Sequence, residues 1–184
     1  LMPIAIGQKP ESDFRNPLGL LSDCHRRIER FLNVLLTVAR QANGNGLDKE
    51  QHQALEVALR YFREAAPKHT RDEEESLFPR IRAQGSTDGD AALALLDTLH
   101  ADHKSAGRSH KEVDELGCRW LTDGQLPAAD VRLLTSLLES LRETYQHHIA
   151  IEDSQVFPLA ERILDRAELE AVAREMAARR GLIL

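Results

Sequence analysis

His69-Thr70-Arg71-Asp72-Glu73-Glu74-Glu75-Ser76-Leu77-Phe78-Pro79 and His148-Ile149-Ala150-Ile151-Glu152-Asp153-Ser154-Gln155-Val156-Phe157-Pro158 are one phrase written twice. Both read His-x3-Glu-x3-(Leu/Val)-Phe-Pro. Residues four apart on an α-helix share a face and lie about 6 Å apart along its axis. Each phrase therefore aims one imidazole and one carboxylate in the same direction. That direction is set by the apolar residues before them.

Working back from the first phrase, Leu55, Leu59, Phe62 and Ala66 lie on the face of His69, Glu73 and Leu77. Before the second, Val131, Leu134, Leu138, Leu141 and Tyr145 lie on the face of His148, Glu152 and Val156. Spacing of i, i+3, i+4, i+7 predicts helices that bury this stripe. Two further stripes complete a set of four. One is Leu18, Leu21, His25, Ile28, Leu32, Leu35, Ala39, and the other is Ala92, Leu96, Leu99, His103, Ala106, His110, Val113. These two share a looser phrase, Leu20-Leu21-Ser22-Asp23-Cys24-His25 against Leu99-His100-Ala101-Asp102-His103.

Punctuation sets the limits. Asn16-Pro17 starts the first helix, which Asn43-Gly44-Asn45-Gly46 ends. Asp48 caps the second, which runs to Phe78 with a kink at Pro67 and stops at Pro79. The Gly85–Gly89 loop introduces the third, over 90–121. Pro127 opens the fourth, over 127–156, with Pro158 as its stop. Asp165 caps a short fifth helix, 166–179, whose stripe of Leu169, Val172 and Met176 belongs on the outside of the bundle or on a partner such as a second copy. Residues 1–16 read as an N-terminal arm and 17–184 as one domain. The fold class is all-α: an antiparallel up-down-up-down four-helix bundle with a short C-terminal extra helix.

In such a bundle the starts of the first and third helices meet the ends of the second and fourth. His25, His69, His103 and His148 then converge on one layer with Glu73 and Glu152. Burying two unpaired carboxylates costs several kcal/mol, and a metal supplies the missing positive charge. Imidazole and carboxylate without thiolate suit iron, manganese or zinc. Six ligands exceed one tetrahedral zinc, and two carboxylates able to bridge suit a dinuclear centre. Ferritin-like di-iron bundles use Glu-x-x-His and four carboxylates, so this is a different class.

Composition narrows the function. Leucine and alanine far outnumber valine and isoleucine, which favours helix. The net charge of -6 argues against nucleic acid, whose phosphates need a basic surface. No apolar run reaches the ~20 residues of a membrane span, and no basic-then-apolar leader is evident. Two cysteines, Cys24 and Cys118, make no disulfide framework, and a cytoplasmic location is expected.

On the two His-x3-Glu-x3-(Leu/Val)-Phe-Pro phrases and the histidines of Asp23-Cys24-His25 and Asp102-His103, the chain resembles the hemerythrin-like (HHE cation-binding domain) family, over about residues 17–165. The resemblance implies a bundle holding a non-haem di-iron centre, bridged by two carboxylates and an oxo or hydroxo group, that binds dioxygen or related molecules. His25, His69, His103 and His148 become terminal ligands, and Glu73 and Glu152 bridges. Oxygen-carrying members have a further histidine four residues after His103, where this chain has Gly107. That leaves one more position open. His110, His100 and Tyr145 are candidates for an additional ligand or a supporting contact.

Other polar residues have plainer readings. Tyr145 is expected to bond a carboxylate, or to donate to a bound oxygen species. Cys24 is packing, His52 surface, and His147, turned away from His148, a solvated or interface residue. The acid run Asp72–Glu75 is a solvated face except for Glu73, and Trp120 is core at the end away from the metal. The leading functional reading is a binding protein for dioxygen, nitric oxide or peroxide, serving storage, sensing or scavenging. Alternatives are a di-iron oxidoreductase (peroxidase, ferroxidase or nitric-oxide reducing) and a metal-dependent regulatory module.

Overall fold

The structure, a computed structural model, describes residues 12–84 and 89–184. Most of the predicted arm (1–11) and of the loop before the third helix (85–88) lies outside the described residues.

Four antiparallel arms form the bundle. The first is α1 (Pro17–Ala42). The second is segmented into α2 (Lys49–Glu64), α3 (Ala66–Arg71), a π-helical turn (Asp72–Leu77) and α4 (Phe78–Ala83). The third is α5 (Gly89–Asp123), and the fourth is α6 (Ala128–Ile151), a second π-turn (Glu152–Val156) and α7 (Phe157–Ile163). The short α8 (Arg166–Ala178) follows. α1 packs on α2 and α6, and α5 packs on the same two, which closes the ring.

The expected caps form. The Asn16 side chain accepts from Gly19 N at 3.0 Å, and Asp48 and Asp165 each make a reciprocal capping box. Asn43 ends α1 in the left-handed region at φ 47°. Gly44 follows at φ +79°, pressed so close to the Leu126 carbonyl that a Cβ would lie 2.4 Å from it. Leu126 N donates to Gly44 O (2.9 Å) and Trp120 Nε1 donates to Asn45 O (3.0 Å), so the two loops close the far end over a fully buried Trp120.

Pro67 breaks the second arm as expected, at Ala65 between α2 and α3. Pro79 and Pro158 do not act as stops. The helices run on to Ala83 and Ile163. Each proline enters just after a π-turn, in which Phe78 N–H bonds Glu73 O and Phe157 N–H bonds Glu152 O, five residues back. The wider turn accommodates a ring that lacks an N–H and would strike the carbonyl four residues back.

The core falls into two clusters. One holds Ile28, Leu59, Ala106, Leu141 and Trp120, and the other Leu21, Leu77, Leu99, Val156 and Met176. On every arm the candidate ligands lie between them. α8 buries Val172 and Met176 in the second cluster and packs on the first π-turn and α1, so the extra helix covers the bundle at the ligand end.

Candidate metal centre

The six residues expected to converge do so, and all are buried in the side chain. Glu73 Oε1 lies 3.5 Å from His25 Nε2 and 3.2 Å from His69 Nε2, while its Oε2 lies 3.4 Å from His103 Nε2. Glu152 Oε2 lies 3.0 Å from His25 Nε2, and its Oε1 lies 3.2 Å from His148 Nε2. Two nests result: His25, His69, Glu73, Glu152, and Glu73, His103, His148, Glu152, each with ligand atoms within 4.8 Å of one another. Both carboxylates belong to both nests, one oxygen to each side.

These atoms are close but misaligned for hydrogen bonding. Both oxygens of Glu73, both of Glu152, and Nε2 of His25 and His148 are buried without a hydrogen-bond partner among the described residues. Lone pairs aimed at common points rather than at each other suit a shared cation. The donor set fits the ion pair that the resemblance implies.

The opposite ring nitrogens are held from behind. His25 Nδ1 lies 3.1 Å from Asp153 Oδ1, which also accepts from Ser22 Oγ at 2.9 Å. His103 Nδ1 lies 2.9 Å from Glu74 Oε1, and His148 Nδ1 reaches Asp102 Oδ2 at 3.5 Å. A carboxylate behind Nδ1 fixes the proton there and turns the Nε2 lone pair inward. Phe157 stacks on the His25 ring (5.4 Å, 10°) and Phe78 faces the His103 ring (6.4 Å, 10°). Each repeated phrase thus sends its shared Glu, the next acid and its Phe to the histidine of a neighbouring arm. His69 departs from this pattern, because its Nδ1 has no hydrogen-bond partner among the described residues. The residue before His25 is Cys24, where Asp102 precedes His103.

Electrostatics follow from this crowding. Burial disfavours charge on His25, yet the carboxylates of Asp153, Glu152 and Glu73 hold its pKa well above the ordinary value. His103 is likewise raised to about 9 against its burial, by Glu73, Glu152 and Glu74. Fully buried His69 is pushed down to about 4 by desolvation, and Glu73 is held well below the carboxylate range by the surrounding imidazoles despite its burial.

The three further candidates stand one step away. His100 Nδ1 contacts Glu74 Oε1 at 2.7 Å with its side chain 43% exposed, so it shares the acid that orients His103. His110 stacks on Phe62 (4.3 Å, 21°) and its Nε2 meets Tyr145 Oη at 3.1 Å. The tyrosine expected to bond a carboxylate bonds this histidine instead, because His110 stands beside it across the α5–α6 interface. Burial raises the pKa of the Tyr145 phenol and lowers that of His110 to about 4, so the pair is neutral.

The acid run is the main correction. Besides Glu73, Asp72 is fully buried, accepting from Arg179 Nη1 (2.9 Å) and Arg180 Nη2 (2.7 Å), and Glu74 orients His103. Their partners come from α5 and from the end of the chain, which local sequence does not reveal. The repeat was the available signal for Glu74 and Asp153, since both follow the shared Glu. Cys24 is buried, and His52 and His147 are exposed, as expected.

The chain matches the hemerythrin HHE cation-binding domain over residues 16–178 and belongs to that family. It is also similar to a Haemophilus influenzae protein described as uncharacterized, with 25% identity over 170 residues, covering 91% of each chain. Family and His/Glu clusters together point to a metal cofactor. Among the described residues, no helix is long and apolar enough to cross a membrane.

Proposed function

We propose that this chain holds two iron ions between the shared carboxylates and through them binds dioxygen, nitric oxide or peroxide, for storage, sensing or scavenging. The carrying observation is the set of buried, unpartnered carboxylate and imidazole atoms grouped as two nests. His25 and His69 would serve one ion, His103 and His148 the other, and Glu73 and Glu152 both. Iron, when bound, supplies an open coordination position and reversible one-electron chemistry. The chain's residues prepare for it. Asp153, Glu74 and Asp102 hold protons on Nδ1, leaving Nε2 to ligate. Phe157, Phe78 and the two leucine-rich clusters keep bulk water away.

Metal analysis joined to visible spectroscopy tests this reading. Two irons per chain, and a new absorption band when the reduced protein meets air or nitric oxide, are expected. Manganese or zinc at full occupancy, or an unchanged spectrum, would overturn it. The Tyr145–His110 pair favours a second reading, a peroxide-consuming oxidoreductase, because the Tyr145 ring lies 6.4 Å from the His148 ring and its hydroxyl carries a proton. Many turnovers of peroxide per chain, abolished by Glu152→Ala, would select it over stoichiometric binding.

A further inference from the structure

Beside one half of the metal layer lies a cavity of about 460 Å³ between α2–α3 and α5–α6. A water molecule's share of the liquid is about 30 Å³, and a diatomic ligand needs little more. The cavity instead falls within the roughly 300–1,000 Å³ of sites that take organic molecules. Its walls are apolar, with Leu59, Phe62, Ala66 and Val113 along them, and its inner end carries His103, His110 and Tyr145. Of the four clustered histidines only His103 lines it, so it serves one nest and not the other.

Gly107 faces the open space of the cavity. It lies on the wall, and a Cβ built there would meet nothing within 4 Å. The rim has a charge opposite to the chain's. Arg63, Arg71 and Lys111 line it with Asp114, the one acid among the described lining residues, in a protein of net charge -6. Arg63 pairs with Asp114 at 2.6 Å and Arg71 with Glu75 at 2.8 Å, both at half-exposed positions. Lys111, 81% exposed, is 4.0 Å from Glu115. Exposed pairs contribute only about 0–1 kcal/mol, so these cations can turn to an incoming anion.

We propose that this cavity binds an amphipathic organic carboxylate, its acid head among Arg63, Arg71 and Lys111 and its apolar chain running past Phe62, Val113 and Gly107 toward His103 and Tyr145. The binding itself needs no metal. It deepens the metal-centre reading only in placing the chain's far end beside the His103–His148 nest.

Calorimetric titration of the as-purified protein with sodium octanoate tests the proposal, with 1-octanol as the uncharged control and metal content measured on the same samples. Saturable binding of one octanoate per chain is expected, with octanol several-fold weaker. Gly107→Phe should fill the space and weaken octanoate by about tenfold or more. Lys111→Glu, an exposed change that leaves the core intact, should weaken octanoate by about threefold and leave octanol unchanged. Absence of saturable octanoate binding, equal binding of octanol, or indifference to Lys111→Glu would overturn the proposal. So would unchanged binding by a folded Gly107→Phe protein. Two metals per chain without octanoate binding would sink this proposal alone. Octanoate binding by a protein that takes up no metal would sink the metal reading and leave this one standing.

Discussion

At Glu73 and Glu152 a fully buried carboxylate divides its two oxygens between histidines on different arms. Their inward aim was legible, because an i, i+4 pair at the end of a leucine stripe has only one face to occupy. The acids beside them were not, since Glu74 sits in an acidic run that looks solvated, and both it and Asp153 act across to other arms. Asp153→Asn and Glu74→Gln should each lower metal affinity by about 10–100-fold, measured by competition with a chelator, with the fold intact. Unchanged affinity would show that these acids do not orient the histidines they touch. Protons enter the same balance. His103, raised to about 9 in the metal-free chain, and His25, raised well above its ordinary value by the same carboxylates, hold protons that they must lose to ligate. Metal uptake at pH 7 should release protons, and affinity should rise with pH toward 9. Titrations in buffers of different ionisation heat read this directly, and a flat response would contradict it.

The arms were legible in their caps, stripes and the Pro67 break, all local in sequence. The π-turns were not. A search for 3.6-residue periodicity imposes one phase on the stripe, and Pro79 and Pro158 read as stops when no wider turn is considered. The burial of Asp72 against the end of α8 was hidden for a different reason: Arg179 and Arg180 come from more than a hundred residues away. Burial raises the pKa of Asp72 against the pull of both guanidiniums, so its charge is already costly where it stands. Removing its partners should cost more. Arg179→Ala with Arg180→Ala should destabilise the protein by about 3–5 kcal/mol in urea unfolding, and adding Asp72→Asn should recover part of that loss. If the double variant were as stable as the parent, α8 would not anchor the first π-turn through this contact.

Across the whole molecule, a layer of acids and imidazoles separates two apolar clusters that would otherwise join. Ions that bind only the folded chain stabilise it by about 2.7 kcal/mol at a hundredfold excess over Kd. Chelation should therefore lower Tm by roughly 5–10 °C in a chain of this size. Calorimetry with and without chelator checks this, and an unchanged Tm would mean that the layer is satisfied without metal. Each nest also draws on both halves of the chain: His25 waits for Glu152 and Asp153, and His103 for Glu73 and Glu74. Neither helical hairpin alone contains both shared carboxylates. Loop closure over such separations is slow, so the ions find no site until the last arm has docked. Metal should then leave the refolding rate unchanged and slow unfolding, making the ions a lock on the finished bundle and not a seed for its assembly.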